Sequence, residues 1–211
     1  MIPTREEMYE ALCARHGADL QQKFSEGSVA VCGLGGLGSN IAVSLARAGV
    51  GHLLLIDFDR VDISNLNRQQ YFPDQLGTYK TEALSHTLRR IAPYCDIAFK
   101  TVKLTEENIP DILHGYPLIC EAFDRADQKA MLVNTVLEKL PDSVLVSGTG
   151  MAGLDSPNTI TTKKITKHFY LSGDGCSDSE KGSGLFSARV AVCAAHQATT
   201  ILRLLAGETE P

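Results

Sequence analysis

No C-x-x-C pair occurs among the six cysteines, Cys13, Cys32, Cys95, Cys120, Cys176 and Cys193. A thiolate zinc site and a redox dithiol therefore have no support in the sequence. The opening residues, MIPTREEMYE, lack the basic stretch and apolar core of a secretory signal. Long apolar runs are missing too. The longest candidate, 188–206, is interrupted by Arg189, His196, Gln197 and Arg203 and does not suit a membrane span. There is no excess of positive charge: 20 Lys and Arg face 25 Asp and Glu, a formal net charge of −5. A general nucleic-acid binder would instead carry a basic face. These absences lead to the expectation of a cytoplasmic protein with neither membrane nor nucleic acid as partner. No internal repeat is apparent.

What is present reads as one α/β domain. The chain has 211 residues, 44% of them hydrophobic and 21% charged, both ordinary for a globular protein. A chain of this length buries about 70% of the surface its unfolded form exposes, so it needs no disulfide or metal to fold. Cys32, Cys120 and Cys193 lie in apolar runs and read as small core residues. Residues 1–27 read as an N-terminal helical arm, one helix or two, with Thr4 and Glu7 as a capping box. Strands are expected at Ser28–Cys32, His52–Ile56, Ile97–Leu104, Leu118–Phe123 and Val144–Ser147. Helices are expected at Leu37–Ala48, Thr78–Ile91, Thr105–Leu113 and Asp127–Leu140. Strands alternating with helices predict a Rossmann-like, doubly wound, mostly parallel sheet. The nucleotide-binding core spans 28–150. Residues 151–211 read as an antiparallel extension: a strand or hairpin arm at Thr159–Phe169, a crossover loop at 172–184 and a final helix at 187–206.

Between the first strand and helix lies Gly33-Leu34-Gly35-Gly36-Leu37-Gly38. Gly33, Gly35 and Gly38 make G-x-G-x-x-G, a tight turn that lets backbone approach phosphates at a helix N-terminus. Asp57 ends the next strand, 19 residues after Gly38, and suits ribose hydroxyls. These features fit NAD, FAD and ATP equally. The segment that follows, DFDRVDISNLNRQ at 57–69, separates them. Ser64-Asn65-Leu66-Asn67-Arg68-Gln69 places amides and a guanidinium just past the ribose strand. Polyphosphate needs such donors, and a hydride-transfer site does not. Lys80, 12 residues after Arg68 in GTYKTEA, begins a helix and is placed to reach the same phosphates.

With EAFDRADQK at 121–129, these pieces resemble the family of ubiquitin-activating-type adenylyltransferases that includes ThiF and MoeB. They occur in the family's order, and the match covers about residues 12–150. The nearest resemblance is to a short ThiF-like branch linked with thiamine biosynthesis. The resemblance implies that the C-terminal glycine carboxylate of a small ubiquitin-like sulfur carrier ending in Gly-Gly attacks the α-phosphate of ATP with Mg2+, forming an acyl-adenylate and releasing pyrophosphate. No general base is required, because a terminal carboxylate with a pKa of about 3.5 is already ionised at neutral pH. The site must instead offset charge and align two anions.

The resemblance further implies roles residue by residue. Gly36 and its neighbours lie along the phosphates, Asp57 holds the ribose with Asp59 as a second, and Asn65 and Arg68 contact phosphate. Lys80 stabilises charge at the α-phosphate, and Asp124 stands on the magnesium side. Arg15 corresponds to an arginine that reaches the neighbouring subunit's nucleotide, which implies a homodimer. Asp62 and Asp127 read more simply as solvated and helix-start charges. The family's two C-x-x-C pairs are missing, so no zinc is expected, and its C-terminal part is trimmed. Cys176 falls where relatives place a mobile segment with a reactive cysteine. Asp174, Asp178 and Glu180 are expected to raise its pKa, with Lys181 opposing them. Two other readings remain open from the residues: an NAD- or FAD-dependent oxidoreductase, and adenylation of a peptide or small carboxylate. So does a binding module that has lost catalysis.

Overall fold

A computed structural model describes residues 2–177 and 184–211 of the chain. Two short helices lead, α1 (Arg5–His16) and α2 (Ala18–Glu26). Thr4 and Glu7 exchange the two hydrogen bonds of the expected capping box, and Gly17 breaks the helices apart at φ +88°. The core then runs β1 (Ser28–Cys32), α3 (Gly36–Arg47), β2 (His52–Asp57), α4 (Lys80–Ile91), β3 (Asp96–Thr101), α5 (Ile109–Leu113), β4 (Leu118–Glu121), α6 (Ala126–Lys139) and β5 (Val144–Gly148). A hairpin, β6 (Thr161–Thr166) and β7 (Phe169–Gly173), precedes the long α7 (Ser187–Ala206).

The seven strands form one sheet in the order β3-β2-β1-β4-β5-β7-β6. All neighbours are parallel except β6, which pairs antiparallel with β7 at the edge. This is the doubly wound sheet with a C-terminal antiparallel strand that the sequence predicts. Period-two alternation sends each strand's side chains to two cores. Val29, Val31, Leu53, Leu55, Cys120 and Val146 pack with α3, α4 and α7. Ala30, Cys32, Leu54, Ile56, Ile119 and Leu145 pack with α5 and α6 on the other face. Cys32, Cys120 and Cys193 are buried as expected, and burial pushes the Cys193 thiol up to about 12.

Three elements differ from the sequence reading. The third strand stops at Thr101: the Val102 N–H gives the Asp57 carbonyl the last ladder bond at 3.2 Å, and Leu104 then enters the second core. The helix expected from Thr105 begins only at Ile109. Pro110 falls in its first turn, where a missing N–H costs nothing, while Thr105 and Asn108 cap one another in a turn before it. The loop expected from residue 172 starts later, since Ser172 and Gly173 pair with β5 or β6 as part of β7.

Strand order reverses direction between β1 and β4, so their carboxyl ends diverge and leave a crevice. Open α/β sheets bind ligands at this switch point.

Candidate functional site

A cleft of about 520 Å³ opens at the carboxyl ends of β1, β2, β4 and β5. Its first wall begins with the glycine loop. Gly33 sits at φ +89°, and a side chain there would press on the Phe123 ring and the Ala122 carbonyl. Gly38 does not line the cleft; a Cβ on it would overlap the Gly33 carbonyl oxygen, so its role is close packing of helix against turn. The Leu34 peptide is gripped at both polar atoms. Its N–H donates to Asp57 Oδ2 at 2.7 Å, and its carbonyl accepts from the Tyr71 hydroxyl at 2.8 Å. α3 then starts at Gly36 with no side-chain cap. Gly35, Gly36 and Leu37 line the cleft, so the uncapped helix start faces it.

Asp57 is buried, and its second oxygen accepts the Asp59 N–H at 2.8 Å. Burial raises its pKa, while the Lys80 ammonium and the two N–H donors oppose that rise. Such a carboxylate gains from further donors, and ribose hydroxyls are donors of that kind. Lys80 opens α4, and its ammonium pairs with Asp59 Oδ2 at 2.9 Å at the cleft wall. A 3-10 turn at Ile63–Asn65, capped by Asp62, turns the chain toward α3. Hydrogen bonds from Ser64 hold the Asp62 carboxyl below its ordinary value, so Asp62 serves the turn. Asn65 accepts the Asp62 N–H through its oxygen at 3.0 Å and leaves its amide donor toward the cleft it lines. The Arg68 stem crosses Gly36, and its guanidinium donates to Ser64 O and Asn67 Oδ1 at 2.9 and 2.8 Å. Gln69 also lines the cleft; it is 8% exposed and its buried Oε1 has no hydrogen-bond partner.

The second wall comes from β4 and β5. Asp124 is exposed in the cleft just past β4. Behind it, Glu121 is fully buried, accepting from Phe123 N–H at 2.6 Å, Ser147 Oγ at 2.6 Å and Lys129 Nζ at 2.8 Å. Asp127 binds Arg125 at the start of α6 and does not line the cleft. Beyond β5, Gly148–Ala152, Ser177, Leu185 and Val190 complete the wall. Arg189 anchors this side. Buried in the first turn of α7, it donates to Ala152 O, Asp155 O, Ser156 O, Thr159 Oγ1 and Asp174 Oδ2. Burial raises the Asp174 pKa, but the Ser177 and Cys176 N–H groups, the Ser177 hydroxyl and Arg189 outweigh it and hold the carboxyl below its ordinary range.

The cleft thus gathers Gly33, Gly35, Gly36, Asp57, Asp59, Asn65, Arg68, Lys80 and Asp124. It does not gather Cys176 or Arg15. Cys176 is exposed beside Ser177, and its N–H donates to Asp174, a carboxylate already turned to Arg189. Asp178, Glu180 and Lys181, also expected to act on that thiol, lie outside the described residues. Arg15 lines a separate groove with His52 and Asp96, at the amino ends of β2 and β3 and so at the opposite end of the strands from the cleft. Within one chain it does not approach the cleft. Among the described residues no group of three or more His, Cys, Asp and Glu is arranged for a metal. Mg2+ keeps several waters and takes one or two carboxylates plus substrate phosphates, so Asp124 suits an ion carried by a nucleotide and not a protein cage. Sequence reasoning missed Glu121, Lys129 and Arg189. A glutamate ending an apolar strand, with a lysine eight residues on in the next helix, was the available sign of the first pair.

The ThiF family model matches residues 9–211. The tRNA threonylcarbamoyladenosine dehydratase of Escherichia coli is 32% identical over 155 residues, covering 72% of this chain and 57% of that protein. The molybdopterin-synthase adenylyltransferase of Haemophilus influenzae is 34% identical over 160 residues, covering 72% and 65%. Ubiquitin-like modifier-activating enzyme 5 of Xenopus laevis is 47% identical over 141 residues, covering 60% and 35%. The chain therefore spans less than two thirds of the length of these relatives. The E. coli dehydratase, solved in complex with ATP, superposes with a TM-score of 0.86 at 22% identity, covering 98% of each chain, which shows a shared fold. The chain belongs to the ThiF family.

Proposed function

We propose that this ThiF-family chain binds MgATP in the cleft at the switch point and adenylates a carboxylate, releasing pyrophosphate. The observation that carries the proposal is the convergence of Asn65, Arg68, Lys80 and the uncapped start of α3 on one cleft beside the buried Asp57. That set offers positive charge and fixed donors, and among the described residues its lining contains no histidine. Attack by an already ionised carboxylate needs no proton acceptor, so catalysis rests on alignment and on relief of charge. Asp57, with Asp59, takes the ribose side; Asn65, Arg68 and the Gly35–Gly36 backbone take the phosphates. Lys80 exchanges Asp59 for the charge that develops at the α-phosphate. A Mg2+ ion borne by the phosphates would supply Lewis acidity, and Asp124 would hold it. An oxidoreductase reading would leave Arg68, Lys80 and Asp124 without a task.

For the acceptor, we favour the C-terminal glycine of a small ubiquitin-like sulfur carrier, as in thiamine thiazole formation. Support comes from the ThiF match and from the likeness to a ubiquitin-like modifier-activating enzyme. On this reading Arg15 acts only in a homodimer, since in its own chain it lies at the far end of the strands. Cys176 would accept the acyl group next, on the segment that Asp174 and Arg189 hold. A second reading, adenylation of a carboxylate carried on tRNA, is favoured by the likeness in both sequence and fold to the E. coli dehydratase. ATP–pyrophosphate exchange separates the two. Exchange stimulated by a Gly-Gly carrier, and lost when its last glycine is removed, supports the first; exchange stimulated only by threonylcarbamoylated tRNA replaces it with the second. Absence of exchange with any carboxylate would sink both.

A further inference from the structure

Phe123 has both backbone polar atoms gripped by a buried ion pair. Its N–H donates to Glu121 Oε1 at 2.6 Å, and its carbonyl accepts from Lys129 Nζ at 3.0 Å. The same ammonium meets Glu121 at Oε1 and Oε2, at 3.1 and 2.8 Å, and Ser147 Oγ donates to Oε2 at 2.6 Å. Glu121 is fully buried, and the Lys129 side chain is 20% exposed. Burying a carboxylate is costly, and an apolar pair of similar shape would often be as stable or more so. The arrangement therefore asks for a purpose beyond folding. Asp124 is the next residue and stands in the cleft. Fixing the N–H and C=O of Phe123 fixes the two peptide planes that flank it, and the second of these carries the Asp124 nitrogen from which that residue's carboxylate departs. The opposite wall uses the same device, where Asp57 and Tyr71 grip the N–H and C=O of Leu34 and so set the glycine loop.

We infer that Glu121 and Lys129 are positioning residues that aim Asp124 at the metal ion of a bound nucleotide, with Ser147 holding Glu121 from β5. Groups behind a ligating carboxylate orient it without touching the ion, and their loss weakens metal binding while leaving the ligand itself in place. The inference rests on reading Asp124 as the magnesium-side carboxylate.

The test is calorimetric titration of the intact protein with ATP, in EDTA and then at rising Mg2+, with thermal unfolding of each variant recorded alongside. The Glu121→Gln/Lys129→Met double variant removes both charges together, so that neither is left buried and alone. It is expected to need about 10-fold more Mg2+ to tighten ATP binding. ATP affinity in EDTA, set by the first wall, should stay near that of the unaltered protein. Lys129→Arg, which keeps charge and donors, should restore most of the Mg2+ response. Glu121→Gln alone, the mildest change, should shift it less in the same direction and serves if the double variant does not fold. An unaltered Mg2+ response in the folded variants overturns the inference, as does an equal loss of affinity with and without Mg2+, which would mark a merely structural role. Asp124→Asn separates the underlying reading. If that variant keeps the full Mg2+ response, the assignment of Asp124 fails and this inference falls with it. If Asp124→Asn abolishes the response while the Glu121 and Lys129 variants keep it, only the positioning role is overturned.

Discussion

Two lysines stand in similar places and do different work. Lys80 opens α4 and reaches back to Asp59 beyond β2; Lys129, in the first turns of α6, reaches back to Glu121 at the end of β4. The ion pairs have similar lengths, 2.9 and 2.8 Å, but the Asp59 side chain is 50% exposed and that of Glu121 is 0% exposed. Lys80 can therefore trade its partner for an incoming phosphate, since water or solvent ions can take over Asp59. Lys129 cannot, because Glu121 has nowhere to find another cation. The cleft has one wall with an exchangeable ion pair and one with a fixed ion pair, and the carboxylate activation proposed above would use both: charge to give to a new anion, and a rigid frame to aim it.

Breaking the fixed pair on one side should have the largest effect on folding. Lys129→Met strands a fully buried carboxylate and is expected to destabilise the chain by about 3–5 kcal/mol, read from urea unfolding, with the Glu121→Gln/Lys129→Met double variant recovering much of the loss. Equal stability of single and double variants would show that the pair is not coupled. Lys80→Met should do the reverse. Its loss is expected to cost less stability than that of Lys129, because Asp59 is half exposed and the buried Asp57 keeps its two N–H donors. Adenylation should fall by about 10²–10³-fold, the scale for a group that meets developing charge. A large drop in melting temperature with intact exchange would invert the comparison. Gly33→Ala probes the seam between the walls. At φ +89°, with Phe123 and Ala122 against the new methyl, it should cost about 1–3 kcal/mol and weaken nucleotide binding as well. A variant as stable as the original would show that the seam yields.

The last prediction concerns acid. The Asp174 carboxyl is held below its ordinary value, so the unfolded chain binds more protons and the group's stabilising contribution is complete above the ordinary aspartate range. That contribution is lost as pH falls through the depressed folded value. Asp174→Asn should flatten the acid limb of the stability profile while leaving the neutral region lower but parallel. An unchanged acid limb would show that Arg189 does not depend on this charge.

The first wall was legible because its chemistry is local. Asp57, Asn65, Arg68 and Lys80 lie within 24 positions of one another, and the glycines announce a strand-to-helix turn. The second wall was legible only at Asp124. Glu121 sits in an apolar strand, Leu118–Glu121, where a charge reads as an anomaly until Lys129 and Ser147 are seen beside it. Arg189 looked like an interruption of an apolar run; its five acceptors come from 152 to 174, brought together by β7 joining β5. The doubly wound, mostly parallel sheet followed from alternation of strand and helix, whereas the start of α5 was set by a proline and by the Thr105–Asn108 turn that periodicity does not register. Arg15 marks the limit of the comparison, since the role proposed for it needs a second subunit and its own chain shows it only in a separate groove.

The hairpin strand β6 has a consequence for how the molecule behaves in a crowded solution. It is an edge strand of the sheet, and its outer rim carries the unpaired backbone groups on which another extended chain pairs. Exposed Lys163 sits on that rim, Lys164 follows with its ammonium tied to Glu210 at 2.9 Å, and the register slips between Lys164 and Thr166. A second copy approaching edge to edge would meet like charge and a broken ladder. The strand that completes this side of the sheet thereby also discourages its growth there, through the two lysines of TTKKIT.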